Sequence, residues 1–119
     1  MKTSFKDTPR EFKVGLEKQI TIKDFGQIQL DPDEQVTFIT PAGAEYDLVR
    51  KNWGYYATPS VNDRLKRFGF KTALVRNSKG QVYIMVVENE RLADFEAYLA
   101  EEKNYVLQWL DDMPLEGDI

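Results

Sequence analysis

The sequence predicts an α+β fold: a single domain with a curved, mostly antiparallel sheet, barrel-like in its N-terminal half, followed by a β-β-α-β C-terminal half. Its 119 residues, of which 42% are apolar, can bury one core, whereas two separate domains would each be marginal. Through the first half, apolar residues alternate with polar ones at a period of two, which is typical of half-buried strands. The spacing becomes helical after Thr58 and again after Asn89, so two short helices are expected among the strands.

The first predicted strands follow this alternation. Apolar and charged residues alternate over 12–16, and the pattern resumes over 20–30. Gly26 interrupts the second segment, which predicts a kink or turn at residues 24–26.

The two ends of the chain differ in composition from the middle. Residues 1–11 are polar, contain Pro9 and show no period, which predicts a flexible arm. Residues 111–119 carry four acids and no base, which is typical of an acidic tail. The folded domain is therefore expected to span residues 12–110.

Three further short strands are predicted before the first helix. The segment 31–34 predicts a turn, because Pro32 presets φ for a corner position and the flanking Asp side chains can bond nearby backbone. Strands are expected at 36–40, 45–49 and 53–56, joined as antiparallel neighbours.

A helix with clear end signals follows. Thr58 is a suitable cap, Pro59 suits the first turn, and apolar residues between 61 and 68 fall on one face. Gly69 stands where a left-handed residue commonly ends a helix. These signals predict a helix from Pro59 to about residue 68.

The C-terminal half begins with a predicted hairpin of strands 70–76 and 81–87. Because the run from Val82 to Val87 is continuously apolar, the second strand is expected to be central and covered on both faces. A helix is predicted from Asn89 to about Lys103. Residues 105–110 alternate in a way that favours a last edge strand, with a continued helix as the alternative.

Composition excludes several kinds of chemistry. With no cysteine and no histidine, the chain cannot form disulfides, thiolate or imidazole metal sites, or nucleophiles activated by histidine. We therefore expect no catalytic residues, no metal and no cofactor. No apolar segment has the length of a membrane span, so the expected location is the cytoplasm, without a membrane partner.

The net charge of −4 conceals a segregation along the chain. Residues 1–49 carry 6 bases and 9 acids, residues 50–79 carry 8 and 1, and residues 80–119 carry 2 and 10. The middle segment is therefore at +7 between two acidic ones. It also holds Trp53, Tyr55 and Tyr56.

Flat rings and cations together are typical of a surface that binds anionic or sugar-containing molecules. The predicted ligand-binding residues are Arg50, Trp53, Tyr56, Ser60, Asn62, Arg64 and Arg67. The favoured function is a small non-catalytic binding or accessory module for such a small molecule or for an acidic protein partner. Nucleic acid is a less favoured partner, because nucleic-acid-binding domains usually carry a net positive charge.

Two alternatives from other classes remain open at this stage. One is a small enzyme acting on a sugar or phosphorylated metabolite through Tyr and Glu acid–base groups, with candidates Glu45, Asp47, Tyr55, Tyr56 and Glu88. The other is a self-associating structural domain, such as a homodimer, in which the basic middle meets the acidic C-terminal third.

Overall fold

A computed structural model of the chain describes residues 1–116 and has the α+β class predicted. About 50% of the residues lie in strands and 18% in helices. The strands form three separate antiparallel sheets instead of one curved sheet, and the described residues contain no closed barrel. The prediction of a barrel-like N-terminal half is therefore wrong. The first two strands of the chain pair with each other and with no other strand of the described residues.

The elements are assigned as follows. The first sheet holds β1 (Lys2–Val14) and β2 (Ile20–Gln29); the second holds β3 (Gln35–Ile39), β4 (Glu45–Lys51) and β5 (Gly54–Ala57); the third holds β6 (Phe70–Arg76), β7 (Val82–Glu88) and β8 (Tyr105–Trp109). The helices are α1 (Arg64–Arg67) and α2 (Leu92–Glu102), with single 3-10 turns at Asn89–Arg91 and Leu110–Asp112. Among the described residues, no helix combines the length and the hydropathy needed to cross a bilayer.

The first sheet corrects the prediction of a flexible arm. Residues 2–11 belong to β1, which pairs with β2 from Lys2 opposite Gln29 to Val14 opposite Ile20. The register shifts between Phe5 and Arg10. This shift moves side chains to the other face, so the alternation that marks a strand is lost in the sequence.

The predicted kink at residues 24–26 lies inside a continuous β2. Gly26 stands opposite Phe5, and a Cβ at this position would lie 1.9 Å from the Ser4 carbonyl oxygen. Glycine is therefore needed for the close approach of two strands, not for a turn.

The first helix is shorter than predicted. α1 spans only Arg64–Arg67, and residues 61–63 form a turn in which the Ser60 hydroxyl accepts the Arg64 N–H. The Thr58 hydroxyl donates to Asp47 instead of capping the helix. Gly69 follows the helix at φ +89°, as the end signal predicted.

The core lies between the third sheet and α2. Ala73, Val75 and Leu99 are its buried centre, and Phe95 packs edge-on against Trp109 at 5.9 Å. Residues 105–109 form β8, the edge strand favoured from the sequence, and it pairs with β6.

The prediction for β7 is wrong. The strand order is β7-β6-β8, so β7 is an edge strand, and Ile84 on it is 67% exposed. A continuous apolar run was expected to mean burial on both faces. In this fold α2 covers one face only, since Ala73, Val75 and Met85 point toward it.

The predicted acidic tail begins inside the fold. Leu110–Asp112 is a 3-10 turn, and Asp111 is only 2% exposed. Residues 117–119, the last part of that predicted tail, lie outside the described residues.

Candidate ligand-binding site

Trp53 and Tyr56 form an exposed aromatic platform at the end of the second sheet. Trp53 lies in the turn between β4 and β5, and Tyr56 lies on β5. The two rings stack with centroids 6.1 Å apart and planes 17° from parallel. Trp53 is 68% exposed and Tyr56 is 45% exposed. A pair of flat apolar faces therefore stands open to solvent, with its geometry set by the hairpin.

The strand register places Lys51 beside the platform, whereas Arg50 was the residue predicted there. Tyr56 is opposite Val49 and Arg50 is opposite Tyr55, so Arg50 and Tyr56 point to opposite faces of the sheet. Lys51 shares the face of Tyr56 and pairs with an exposed carboxylate, Asp33. Lys51 is not among the predicted ligand-binding residues, although the period of two along β4 places its side chain on the same face as Tyr56.

Arg50 is held on the other face of the sheet. Its guanidinium lies 5.1 Å from the centroid of the Tyr55 ring. It donates to the carbonyl of Gly54 at 3.1 Å and to that of Lys51. The side chain therefore fixes the β4–β5 turn that carries Trp53, and it does not face the platform.

Arg64 belongs to a buried polar network around Asp47. The Asp47 carboxylate accepts hydrogen bonds from the Thr37 hydroxyl at 2.6 Å, the Thr58 hydroxyl at 3.1 Å and the Arg64 guanidinium at 3.2 Å. The Arg64 guanidinium also donates to the Thr58 hydroxyl at 2.7 Å. This network joins β3, β4 and α1, so the charge of Arg64 is used within the fold.

The remaining predicted site residues also make internal contacts. The Ser60 hydroxyl accepts the Arg64 N–H at 3.0 Å, and the side-chain amide of Asn62 donates to the carbonyls of Met113 and Pro114 at 3.2 and 3.4 Å. Arg67 pairs with Asp63 one turn earlier and is otherwise exposed. The seven predicted residues therefore do not meet in one cluster. Trp53 and Tyr56 form the platform, Arg50, Ser60, Asn62 and Arg64 make contacts within the fold, and Arg67 makes an exposed pair with Asp63.

A second network joins the basic middle to the C-terminal segment. The Asp111 carboxylate accepts from the Lys71 ammonium at 2.9 Å and from the Thr72 N–H at 3.1 Å. The Lys71 ammonium also lies 4.6 Å from the centroid of the Trp109 ring. The Lys66 ammonium donates to the Asp111 carbonyl at 3.1 Å. Asp111 is not among the predicted site residues. The segregation of charge along the sequence was nevertheless a signal that the basic middle and the acidic C-terminal segment would meet.

The candidate acids of the enzyme alternative are dispersed. Asp47 is buried in its network, and Tyr55 faces Arg50. Glu88 lines a cavity with Phe70 and Phe95, to which the other four candidates do not contribute. None of the five lines the cavity of about 430 Å³ between the β1–β2 turn and α2. Among residues 1–116, no three carboxylates gather as a metal site would require.

Both buried carboxylates have a lowered pKa. The hydrogen bond from Thr37 is the main cause for Asp47, aided by Thr58 and Arg64 and opposed by burial. Burial alone would raise the pKa of Asp111, but the hydrogen bonds from Lys71 and from the Thr72 N–H outweigh it and hold the pKa below its ordinary value. Both groups are therefore ionised in the folded protein at neutral pH.

These shifts predict a loss of stability in acid. The unfolded chain takes up protons near the ordinary Asp pKa of about 3.9, before the folded chain does, so stability is full above that pH and falls as the pH drops through it. Chemical denaturation at a series of pH values measures this loss. In Asp111→Asn the decrease should be shallower, and an identical pH profile in this variant would show that Asp111 makes no contribution to it.

No protein-family model, curated protein or solved structure matches this chain.

Proposed function

We propose that the chain is a small non-catalytic binding module that stacks a sugar-containing or other ring-bearing anionic ligand on the platform of Trp53 and Tyr56. The observation that carries this proposal is the exposure of two stacked aromatic rings on a hairpin that is fixed by polar contacts beneath it. A tryptophan side chain that is mostly exposed contributes little to the stability of the fold, whereas its ring face can stack on a sugar or a base.

The charge near the platform favours an anion. Lys51 lies on the same face of the sheet as Tyr56. Its partner Asp33 is 72% exposed at the side chain, so the ion pair contributes little free energy and another anion can take the place of the Asp33 carboxylate. An anionic group on the ligand can replace that carboxylate. The rings then supply most of the binding energy and Lys51 supplies orientation, with an attraction that salt weakens.

The proposal is tested by titrating the protein with nucleotides, nucleotide-sugars, short oligonucleotides and an acidic polypeptide. In Trp109→Phe, fluorescence reports on Trp53 alone. Stacking contributes about 1–3 kcal/mol per ring by alanine substitution, so Tyr56→Ala should weaken binding about fivefold to a hundredfold. A response to the acidic polypeptide alone would assign the site to an acidic protein partner instead.

The chain contains a matched control for this experiment. Tyr55 is the adjacent residue, is 60% exposed and points to the opposite face of the same strand. Tyr55→Ala should leave the affinity unchanged. If no ligand in the panel binds below about millimolar concentration, or if the two variants behave alike, the platform is not a ligand site.

A further inference from the structure

We propose that the chain is a homodimer in which the edge strand β7 pairs with β7 of a second copy. The third sheet has the order β7-β6-β8, so the outer backbone edge of β7 has no strand beside it in the described part of the chain. Pairing across a two-fold axis is antiparallel for two identical strands, and it would join the sheets into one of six strands.

The composition of β7 supports this pairing. Val82 to Val87 contains no charge and no proline, and the pairing of β7 with β6 runs without a bulge. Proteins normally protect an exposed edge strand with charges, prolines or bulges. A long apolar edge strand that lacks all three is a site of association. Among the described residues, no strand of the first or second sheet pairs with this edge. The β1–β2 region approaches β7 from the face that α2 covers, where Leu16 and Ile20 line a cavity with Tyr83 and Met85.

The sheet face opposite α2 is also exposed near Val82, whereas its other end, at Phe70 and Thr72, is buried. Ile84 is paired with Leu74, and both lie on the face opposite α2, together with Val82 and Tyr105. Ile84, Val82 and Tyr105 are each at least half exposed. A second copy seated along β7 would extend this apolar face across both subunits and remove part of it from water.

The overall dimensions indicate that the isolated chain is incompletely covered. Its accessible surface is 9019 Å², whereas a compact protein of 13.8 kDa exposes about 6,600 Å². Its radius of gyration is 16.3 Å, compared with about 13.5 Å for a compact chain of this length. For two chains the excess is about 4,800 Å², at the upper end of the total surface of about 2,000–5,000 Å² that permanent dimers bury.

Charge at the two ends of β7 favours a second copy over an unrelated protein. Lys79 lies in the turn before the strand, while Glu88 and Glu90 lie at its other end. Antiparallel pairing places the start of one strand beside the end of the other, so each Lys79 lies near the acidic end of the partner's β7. The edge is therefore complementary to itself in both polarity and charge.

Sedimentation velocity of the full chain tests the proposal. The wild-type protein should sediment as a dimer of twice 13.8 kDa, and high salt should not dissociate it, because the contact is mainly apolar. Ile84→Lys should weaken dimerisation by at least about a hundredfold, since a charge on an edge strand opposes pairing. Ile39→Lys places the same charge at a residue of similar exposure on the second sheet and should remain dimeric.

A wild-type monomer at all accessible concentrations, or equal association of the two variants, would overturn the proposal. An open-ended polymer would also contradict it, because pairing of β7 with β7 closes on two copies. If Ile84→Lys fails to fold, amide hydrogen exchange on the wild-type chain tests the dimer instead. On about a hundredfold dilution, the protection of the β7 amides should fall and the protection of the β8 amides should not. Concentration-independent exchange in β7 would exclude the dimer.

Discussion

Asp111→Ala is expected to lower the free energy of unfolding by about 3 kcal/mol. The variant leaves the Thr72 N–H without its hydrogen-bond acceptor in a buried position and leaves the Lys71 ammonium without its carboxylate. Lys71 is 26% exposed at the side chain, so water can relieve part of this cost and the effect should stay at the lower end for a buried pair.

Urea denaturation of the wild type and of Asp112→Ala provides the comparison. Asp112 is the next residue in the same 3-10 turn, carries the same charge and is exposed. Its removal should change stability by less than about 0.5 kcal/mol. Equal effects of the two substitutions would mean that the loss comes from net charge or from the turn, and not from the contacts of Asp111.

Leu65→Ala is expected to destabilise the protein by about 3 kcal/mol. Leu65 is the one fully buried side chain on the short helix α1, which packs against β6. Truncation removes apolar contacts and leaves a cavity that a helix anchored at both ends cannot close. Thermal unfolding should therefore shift to a clearly lower midpoint.

Arg67→Ala is the control for the helix. Arg67 lies on the outer side of α1 and pairs only with Asp63, an exposed contact of small value. The substitution should cost less than about 1 kcal/mol. If Leu65→Ala were as mild as Arg67→Ala, α1 would not be part of the cooperative core.

The sequence predicted the strands better than the sheets. Local signals predicted strands at 36–40, 45–49 and 70–76, and the structure has strands within two residues of these bounds. Which strands pair is a non-local property, so the separation into three sheets and the edge position of β7 were not visible. The register shift in β1 hid its first part, residues 2–11, whereas its last residues lie in the alternating segment 12–16.

The candidate site was predicted in part. Trp53, Tyr55 and Tyr56 were predicted to lie on one strand, whereas the structure places Trp53 in the turn before β5. The use of Arg64 by Asp47 was hidden, since the two residues lie 17 positions apart and meet only through the packing of α1 on the second sheet. Local charge counts therefore overestimated the cations available to a ligand.

We expect the rings of Trp53 and Tyr56 to bind the ligand, with Lys51 orienting it, and Arg64 to stabilise the fold instead. The most direct test compares Trp53→Ala with Arg64→Ala for affinity toward the tightest ligand of the panel, with the free energy of unfolding of each variant measured alongside. Trp53→Ala should lose at least about tenfold in affinity and keep its stability. Arg64→Ala should lose about 1 kcal/mol of stability and keep its affinity within about threefold. Loss of binding in Arg64→Ala with binding intact in Trp53→Ala would contradict the account.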